Sequence, residues 1–249
     1  MIGNHIIAVA VAMAILGLGT GANAAPCVEV TLTGTQGGPP VFRGQAGSGT
    51  LVSYGSEENN CRDVLLQFDT GRGTTQQLSK IGVPAGRINA VFFTHMHSDH
   101  TEGLADLMQL RWHFNSGGPK VDVVCRDDAV SGAGHTMSCE KFAAHIGDAF
   151  IESGEMAQRL AENPKRLAGG PSDLLDVSTF GASEEPQIVW RSGDVTVSAI
   201  SSRHVAGHTS YRVDTPAGSV VIGGDAGNDS PAPPRDTSTS AQVELLAKD

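Results

Sequence analysis

The sequence predicts a layered α/β sandwich, and three features of its patterning carry that expectation. Short strand-like runs with alternating side chains recur over residues 27–71 and again over residues 187–225. Stretches at helical spacing lie between and after them. One run, "INAVFF" at residues 88–93, is nearly all apolar, the composition of a strand covered on both faces.

Taken in order, "CVEVTLTG" (27–34), "GTLVSY" (49–54) and "DVLLQFDTG" (63–71) are strands. The link over residues 34–49 is glycine-rich, with Gly37-Gly38-Pro39-Pro40 at its centre. It lacks the Gly-Lys-Ser/Thr ending of a phosphate-cradling loop and therefore simply joins strands. "TTQQLSKIG" from Thr74 is a short helix stopping near Gly82. The apolar strand comes next, then a polar bend, then "GLADLMQLRWHF" (103–114) at helical spacing. "KVDVVCRDD" (120–128) is a further strand. Residues 139–163 form one long helical stretch, in which Phe142, Ile146 and Phe150 recur four apart. Gly169-Gly170-Pro171 breaks it, and residues 172–186 read as an irregular insertion. "QIVWRSGDVTVSAIS" (187–201) is a hairpin turning at Ser192-Gly193-Asp194. "SYRVDTPAGSVVIGGD" (210–225) is a second, turning at Pro216-Ala217-Gly218. A last helix starts near Ser240.

A chain of 249 residues, 39% of them hydrophobic, can bury one sizeable core. Residues 1–24 read as a signal peptide, with an apolar stretch over 6–18 and the small-residue cleavage site Ala22-Asn23-Ala24. The opening "MIGNH" has no Lys or Arg, and a retained membrane anchor is the alternative. Cleavage removes no formally charged side chain, so the mature chain keeps a net charge of -10. That acidity disfavours a phosphate backbone as partner unless a local basic patch overrides it. The one modest basic cluster is Lys165-Arg166. Four cysteines in an exported chain predict two disulfides, Cys27–Cys61 and Cys125–Cys139. None has the C-x-x-C spacing of a metal pair.

The polar bend reads "FFTHMHSDHTEG" from Phe92. His95 and His97 are two apart, so in an extended chain both rings leave the same side of the backbone. Asp99 and His100 follow as the chain turns into the helix near Gly103. Imidazole nitrogens and carboxylate oxygens suit zinc, and also manganese or iron. A bend at the end of a buried strand is where a rigid scaffold presents side chains into a cleft. The bland alternative is a polar surface bend with Asp99 capping the helix.

His95-x-His97-x-Asp99-His100 resembles the hallmark of the metallo-β-lactamase superfamily of metal-dependent hydrolases. "LTGTQGGPPVFRGQAGSGTLV" and "LLQFDTGRGTTQQL" are similar to the opening of its ribonuclease Z (tRNase Z) and arylsulfatase-like branch. "SSRHVAGHTSYRVDTPAGSVVIGGDAG" is similar to the segment holding the next two ligands, so His204 matches the lone histidine and Asp225 the metal-bridging aspartate. The resemblance implies an αββα sandwich. It also implies a dinuclear zinc centre, with His95, His97 and His204 on one metal and Asp99, His100 and Asp225 on the other. A bridging hydroxide would attack a phosphodiester or related ester, and Asp99 would orient it. Asp69 is expected either to support the ligands or to make a plain Asx-turn.

In that family a further strand and one more histidine ligand follow the Asp225 counterpart. The implied sandwich therefore lacks its last strands and helix, and the second site is one ligand short. Residues 25–249 read as this one hydrolase domain, C-terminally incomplete, with 126–186 as its atypical helical and loop region. The functional expectation is a ribonuclease Z-like hydrolase. The alternatives are an exported sulfatase- or lactonase-type esterase and a catalytically impaired metal-binding protein. Expected partners are a small-molecule or phosphodiester substrate and a second copy in a homodimer, with nucleic acid disfavoured by charge and no stable membrane insertion. Of the other histidines, His5 leaves with the signal peptide, His113 and His145 are surface or core residues on predicted helices, and His135 and His208 are candidates to face the cleft.

Overall fold

The computed structural model describes residues 24–163, 169–227 and 240–248. The expected signal peptide, His5 and Lys165-Arg166 lie outside them, apart from Ala24. Three strands open the fold: β1 (Pro26–Gly34), β2 (Gly49–Ser56) and β3 (Val64–Phe68). Then come α1 (Thr74–Lys80), β4 (Ala90–Phe92), α2 (Ser98–Thr101), α3 (Leu104–Asn115) and β5 (Val121–Arg126). A small hairpin of β6 (Ala129–Val130) and β7 (Thr136–Met137) leads to α4 (Cys139–Ala144), α5 (Asp148–Glu152) and α6 (Glu155–Glu162). The second half holds β8 (Leu175–Phe180), β9 (Gln187–Ser192), β10 (Val195–Ser201), β11 (Thr209–Thr215), β12 (Gly218–Ile222) and α7 (Ala241–Leu246).

Two sheets face each other, one ordered β1-β2-β3-β4-β5-β8 and the other β12-β11-β10-β9. Strands β3, β4, β5 and β8 run parallel, and both hairpins of the second half are antiparallel. Alternation sends each strand's neighbours to opposite layers. Leu65, Val91 and Val123 pack under α1 and α3 with Leu78, Leu107 and Trp112. Leu66, Phe92 and Val124 meet Val197, Tyr211 and Val213 of the second sheet. Helix α7 lies against β10, β11 and β12, so the layers run αββα. Among the described residues no helix is long and apolar enough to cross a membrane.

Two local expectations are corrected. Residues 139–163 form three short helices, because glycines at 147 and 154 interrupt the repeat. A Cβ on Gly147 would sit 2.8 Å from Pro171 Cδ, and Gly154 is extended at φ -109, ψ -171. Residues 175–180 are a strand rather than an irregular insertion. β8 pairs in register with β5 from Val121↔Leu175 to Arg126↔Phe180. As an edge strand with Asp176, Ser178 and Thr179 turned partly to solvent, it lacks the apolar run that betrays a central one. Both disulfides form as expected: Cys27–Cys61 closes β1 onto the turn before β3, and Cys125–Cys139 ties β5 to α4.

Candidate metal centre

β4 is flanked by β3 and β5, and its C-terminal end delivers Phe93, Thr94 and His95 into the interior. The chain then turns at His97, the residue before α2, and brings Asp99 and His100 back as buried groups. Close backbone approach makes this bend possible. Gly71 and the backbone of Asp99 and Ser48 are so near that any Cβ on Gly71 would overlap them.

Asp69, at the end of neighbouring β3, organises the bend from behind. It is buried with φ 54, and its backbone N–H donates to Phe92 O at 2.8 Å. Its Oδ1 accepts from Thr94 N at 2.8 Å, and its Oδ2 accepts from Thr94 Oγ1 at 2.8 Å. Oδ2 also lies 2.7 Å from His100 Nδ1. Thus Asp69 makes no simple Asx-turn; it is the common acceptor for the residues around the bend. Counting protons then sets the rings. The Thr94 hydroxyl proton is spent on Asp69, so Thr94 Oγ1, 3.1 Å from His95 Nδ1, must accept from that nitrogen. His95 Nε2 is left as a lone pair, buried and without a hydrogen-bond partner, and His100 Nε2 is likewise buried without one. An imidazole whose outer N–H is bonded and whose inner nitrogen is bare is the usual state of a metal ligand.

The second sheet supplies the rest. Thr209 N donates to Thr94 O at 2.8 Å and Tyr211 Oη to Phe93 O at 2.7 Å, which docks the start of β11 on the end of β4. The β10–β11 loop carries His204 over the bend, and the turn after β12 carries Asp225. Gly224, at φ +58, rests on Thr94, whose side chain a Cβ there would meet at 2.8 Å. One oxygen of Asp225 lies 3.4 Å from His100 Nε2 and the other 3.7 Å from His204 Nε2. Its carboxylate therefore spans two groups of donors. His95, His97 and His204 form one, and His95, His100 and Asp225 the other, with the atoms of each group within 4.8 Å of one another. Asp99 completes the convergence: its Oδ2 lies 3.6 Å from His100 Nε2 and accepts from Gly38 N at 2.6 Å. The expected six residues thus come together, and the second donor group within that distance includes His95 where Asp99 was expected.

Electrostatics follow from burial and these neighbours. Burial, with the surrounding imidazoles, pulls His95 down to about 2 and keeps it neutral. Burial also pulls on His100, but the carboxylates of Asp225 and Asp69 beside it outweigh that and raise it to about 10. His100 in turn holds the Asp225 carboxyl at about 2. His204 is lowered, chiefly by burial. Buried imidazole nitrogens without a hydrogen-bond partner, set against carboxylate oxygens, form a donor set that fits a divalent cation of the zinc type once His100 gives up its second proton. Above it opens a cleft of about 390 Å³ lined by Gly38, Pro39, His97, Ser98, Asp99, His204 and Asp225.

Of the remaining histidines, His113 lies 3.6 Å from Glu155 and His145 hydrogen-bonds Asp148 at 2.5 Å, both away from the cluster. His135 is exposed in the turn between β6 and β7. His208 is buried, its ring 5.1 Å from that of His95. Sequence reasoning passed over Thr94 and took the glycine-rich loop holding Gly38 for a plain strand connection. Thr94 could have been noticed as the polar residue between an apolar strand and the first histidine; nothing local says that the Gly38 N–H meets Asp99, 61 residues away.

A family model described as "Anti-Pycsar protein Apyc1" matches residues 58–132. Ribonuclease Z of Mycobacterium sp. (strain KMS) is 30% identical over 200 residues, covering 80% of this chain and 61% of that protein. Ribonuclease Z of Mycobacterium avium (strain 104) is 29% identical over 202 residues, covering 80% and 62%. The chain thus spans about three fifths of the length of these curated relatives. Among solved structures, human tRNase Z, short form, matches with a TM-score of 0.53 and 18% identity, covering 79% of this chain and 68% of that one. The metallo-β-lactamase fold protein YhfI from Bacillus subtilis matches with a TM-score of 0.50 and 20% identity, covering 81% and 64%.

Proposed function

We propose that this ribonuclease Z-like chain, built on the metallo-β-lactamase fold, is a metal-dependent hydrolase of phosphodiester or related ester bonds. The observation that carries the reading is Asp225: its two carboxylate oxygens face two donor groups that share His95. His95, His97 and His204 would hold one cation, and Asp99, His100 and Asp225 the other. Zinc suits nitrogen and carboxylate donors, with manganese or iron as substitutes. Two such cations supply activated water and charge neutralisation for the substrate's oxygens. Asp225, facing both donor groups, would screen the repulsion between two such cations. Asp69 holds Thr94 and His100 from behind, which keeps the inner nitrogens of His95 and His100 turned to the centre. Asp99, which lines the cleft and accepts from Gly38 N, would accept a proton from, and so orient, the attacking group.

Three observations favour a small ester, sulfate ester or lactone outside the cytoplasm over tRNA. The seven residues lining the cleft include no Lys or Arg to meet a phosphate backbone, and the chain carries -10 overall. The two disulfides favour an oxidising compartment, consistent with export to the periplasm or beyond.

Metal analysis and turnover test this together. The expected result is two equivalents of metal and chelator-sensitive hydrolysis of a bis-aryl phosphate, aryl sulfate or lactone probe. His97→Ala is expected to bring that hydrolysis to background. One equivalent or less with no turnover would favour a non-catalytic metal-binding protein, and an unchanged rate in His97→Ala would reject the ligand assignment.

A further inference from the structure

His208 belongs to neither donor group, yet its surroundings are those of a prepared ligand. The ring is 2% exposed. Its centroid lies 5.1 Å from that of His95 and 5.4 Å from that of His204. The pairs within the first donor group stand 4.5, 4.8 and 5.2 Å apart, so His208 adjoins the cluster at nearly the same spacing. A chain of hydroxyls sets its protons. Ser210 Oγ donates to Gly223 O at 3.0 Å, which spends the Ser210 proton. Ser202 Oγ, 2.7 Å away, must then donate to Ser210 Oγ. Ser202 Oγ can therefore only accept from His208 Nδ1, at 2.8 Å. His208 Nε2 is left as a lone pair, buried and without a hydrogen-bond partner.

A histidine that merely fills a core satisfies both nitrogens or leaves one to solvent, because a buried bare acceptor is costly. Among the described residues only two other imidazole nitrogens are buried and bare, those of His95 and His100. The hydroxyl chain that fixes His208 also ends on Gly223, the first residue of the turn that presents Asp225. One relay thus sets the His208 tautomer and ends on the backbone two residues before Asp225.

We propose that His208 is a further nitrogen donor of the metal centre, presented beside His95 and His204 by the Ser202–Ser210–Gly223 relay. This rests on the reading of the cluster as a metal site. Cobalt binding to the full chain separates the two ideas. The dissociation constant is measured by chelator competition and the coordination by the visible absorption of bound Co²⁺. Three proteins are compared: the unaltered chain, His208→Phe, which keeps a ring and removes both nitrogens, and Ser202→Ala, which keeps the imidazole and frees its tautomer. Loss of a donor or its orienting partner costs about 10- to 100-fold in metal affinity. His208→Phe is expected to weaken Co²⁺ at least tenfold and to shift its absorption bands, and Ser202→Ala to weaken it less. Unchanged affinity and bands in both variants would overturn the proposal while leaving the metal centre intact. No Co²⁺ binding by the unaltered chain would instead remove the metal reading, and this proposal with it. If His208→Phe fails to fold, Ser202→Ala decides, and unchanged affinity in it refutes the relay.

Discussion

Asp69→Asn is a test of the support behind the metal centre that leaves every proposed ligand in place. Asp69 accepts three hydrogen bonds, from Thr94 N, Thr94 Oγ1 and His100 Nδ1. An asparagine retains one acceptor oxygen, enough for Thr94 N. Its amide N–H₂ then confronts two donors. The threonine hydroxyl can rotate to accept, but doing so disturbs the proton order that frees His95 Nε2. In the metal-bound form His100 holds a single proton, on Nδ1, and it could accept there only with that proton on Nε2, the atom facing Asp225. A cation must displace that proton, so the substitution should weaken metal binding by about 10- to 100-fold. At about 1.4 kcal/mol per decade this is roughly 1.4–2.8 kcal/mol. Leaving either donor buried and unpaired instead would cost a similar 1–3 kcal/mol of folding stability. Zinc affinity by competition with a chromophoric chelator near neutral pH reads the first cost, and urea midpoints of metal-free protein read the second. A folded Asp69→Asn with zinc affinity within about threefold of the parent and an unchanged midpoint would refute the proton accounting.

Two further outcomes concern the chain without metal. Burial lowers His95 to about 2 and His208 to about 3 from an ordinary 6.5. The unfolded chain takes up both protons below about pH 6.5 and the folded chain does not, so stability is full above that pH and falls towards pH 3. His100, raised to about 10, already contributes fully below 6.5 and does not offset this loss. Urea midpoints of chelator-treated protein should therefore drop between pH 7 and pH 4.5; equal midpoints would contradict the neutral burial of these rings. Reduction of the disulfides should also destabilise the fold. From sequence separations of 34 and 14, loop-closure entropy assigns about 4 kcal/mol to Cys27–Cys61 and about 3 kcal/mol to Cys125–Cys139. Denaturation of Cys27→Ser/Cys61→Ser and Cys125→Ser/Cys139→Ser measures each, and the longer loop should cost more.

Much of this architecture is legible in local pattern. The apolar run of β4 implies burial on both faces, and Val91 and Phe92 do point into different cores. The two hairpins announce themselves through Ser192-Gly193-Asp194 and Pro216-Ala217-Gly218, since turn chemistry acts over a few residues. Where pattern misled, tertiary packing had overridden it. The fourfold recurrence of Phe142, Ile146 and Phe150 suggests one helix, but Gly147 fits beneath Pro171 and the chain turns there. β8 is polar enough to pass for a loop because hydrogen bonds to β5 along one edge hold it.

The sequence alone determined which donors exist and that four of them, His95 to His100, must lie at one bend, because chain connectivity keeps neighbours together. Resemblance to the metallo-β-lactamase superfamily, and not spacing, pointed to His204 and Asp225 as the distant partners. Only the folded structure decided that Asp225 turns one oxygen to His100 and the other to His204, and that Asp69 takes three hydrogen bonds from behind. It alone placed His208 beside the cluster with a bare nitrogen. Ring tautomers and carboxylate orientation depend on hydrogen-bond partners far away in the chain, and those partners are defined only once two sheets have packed together.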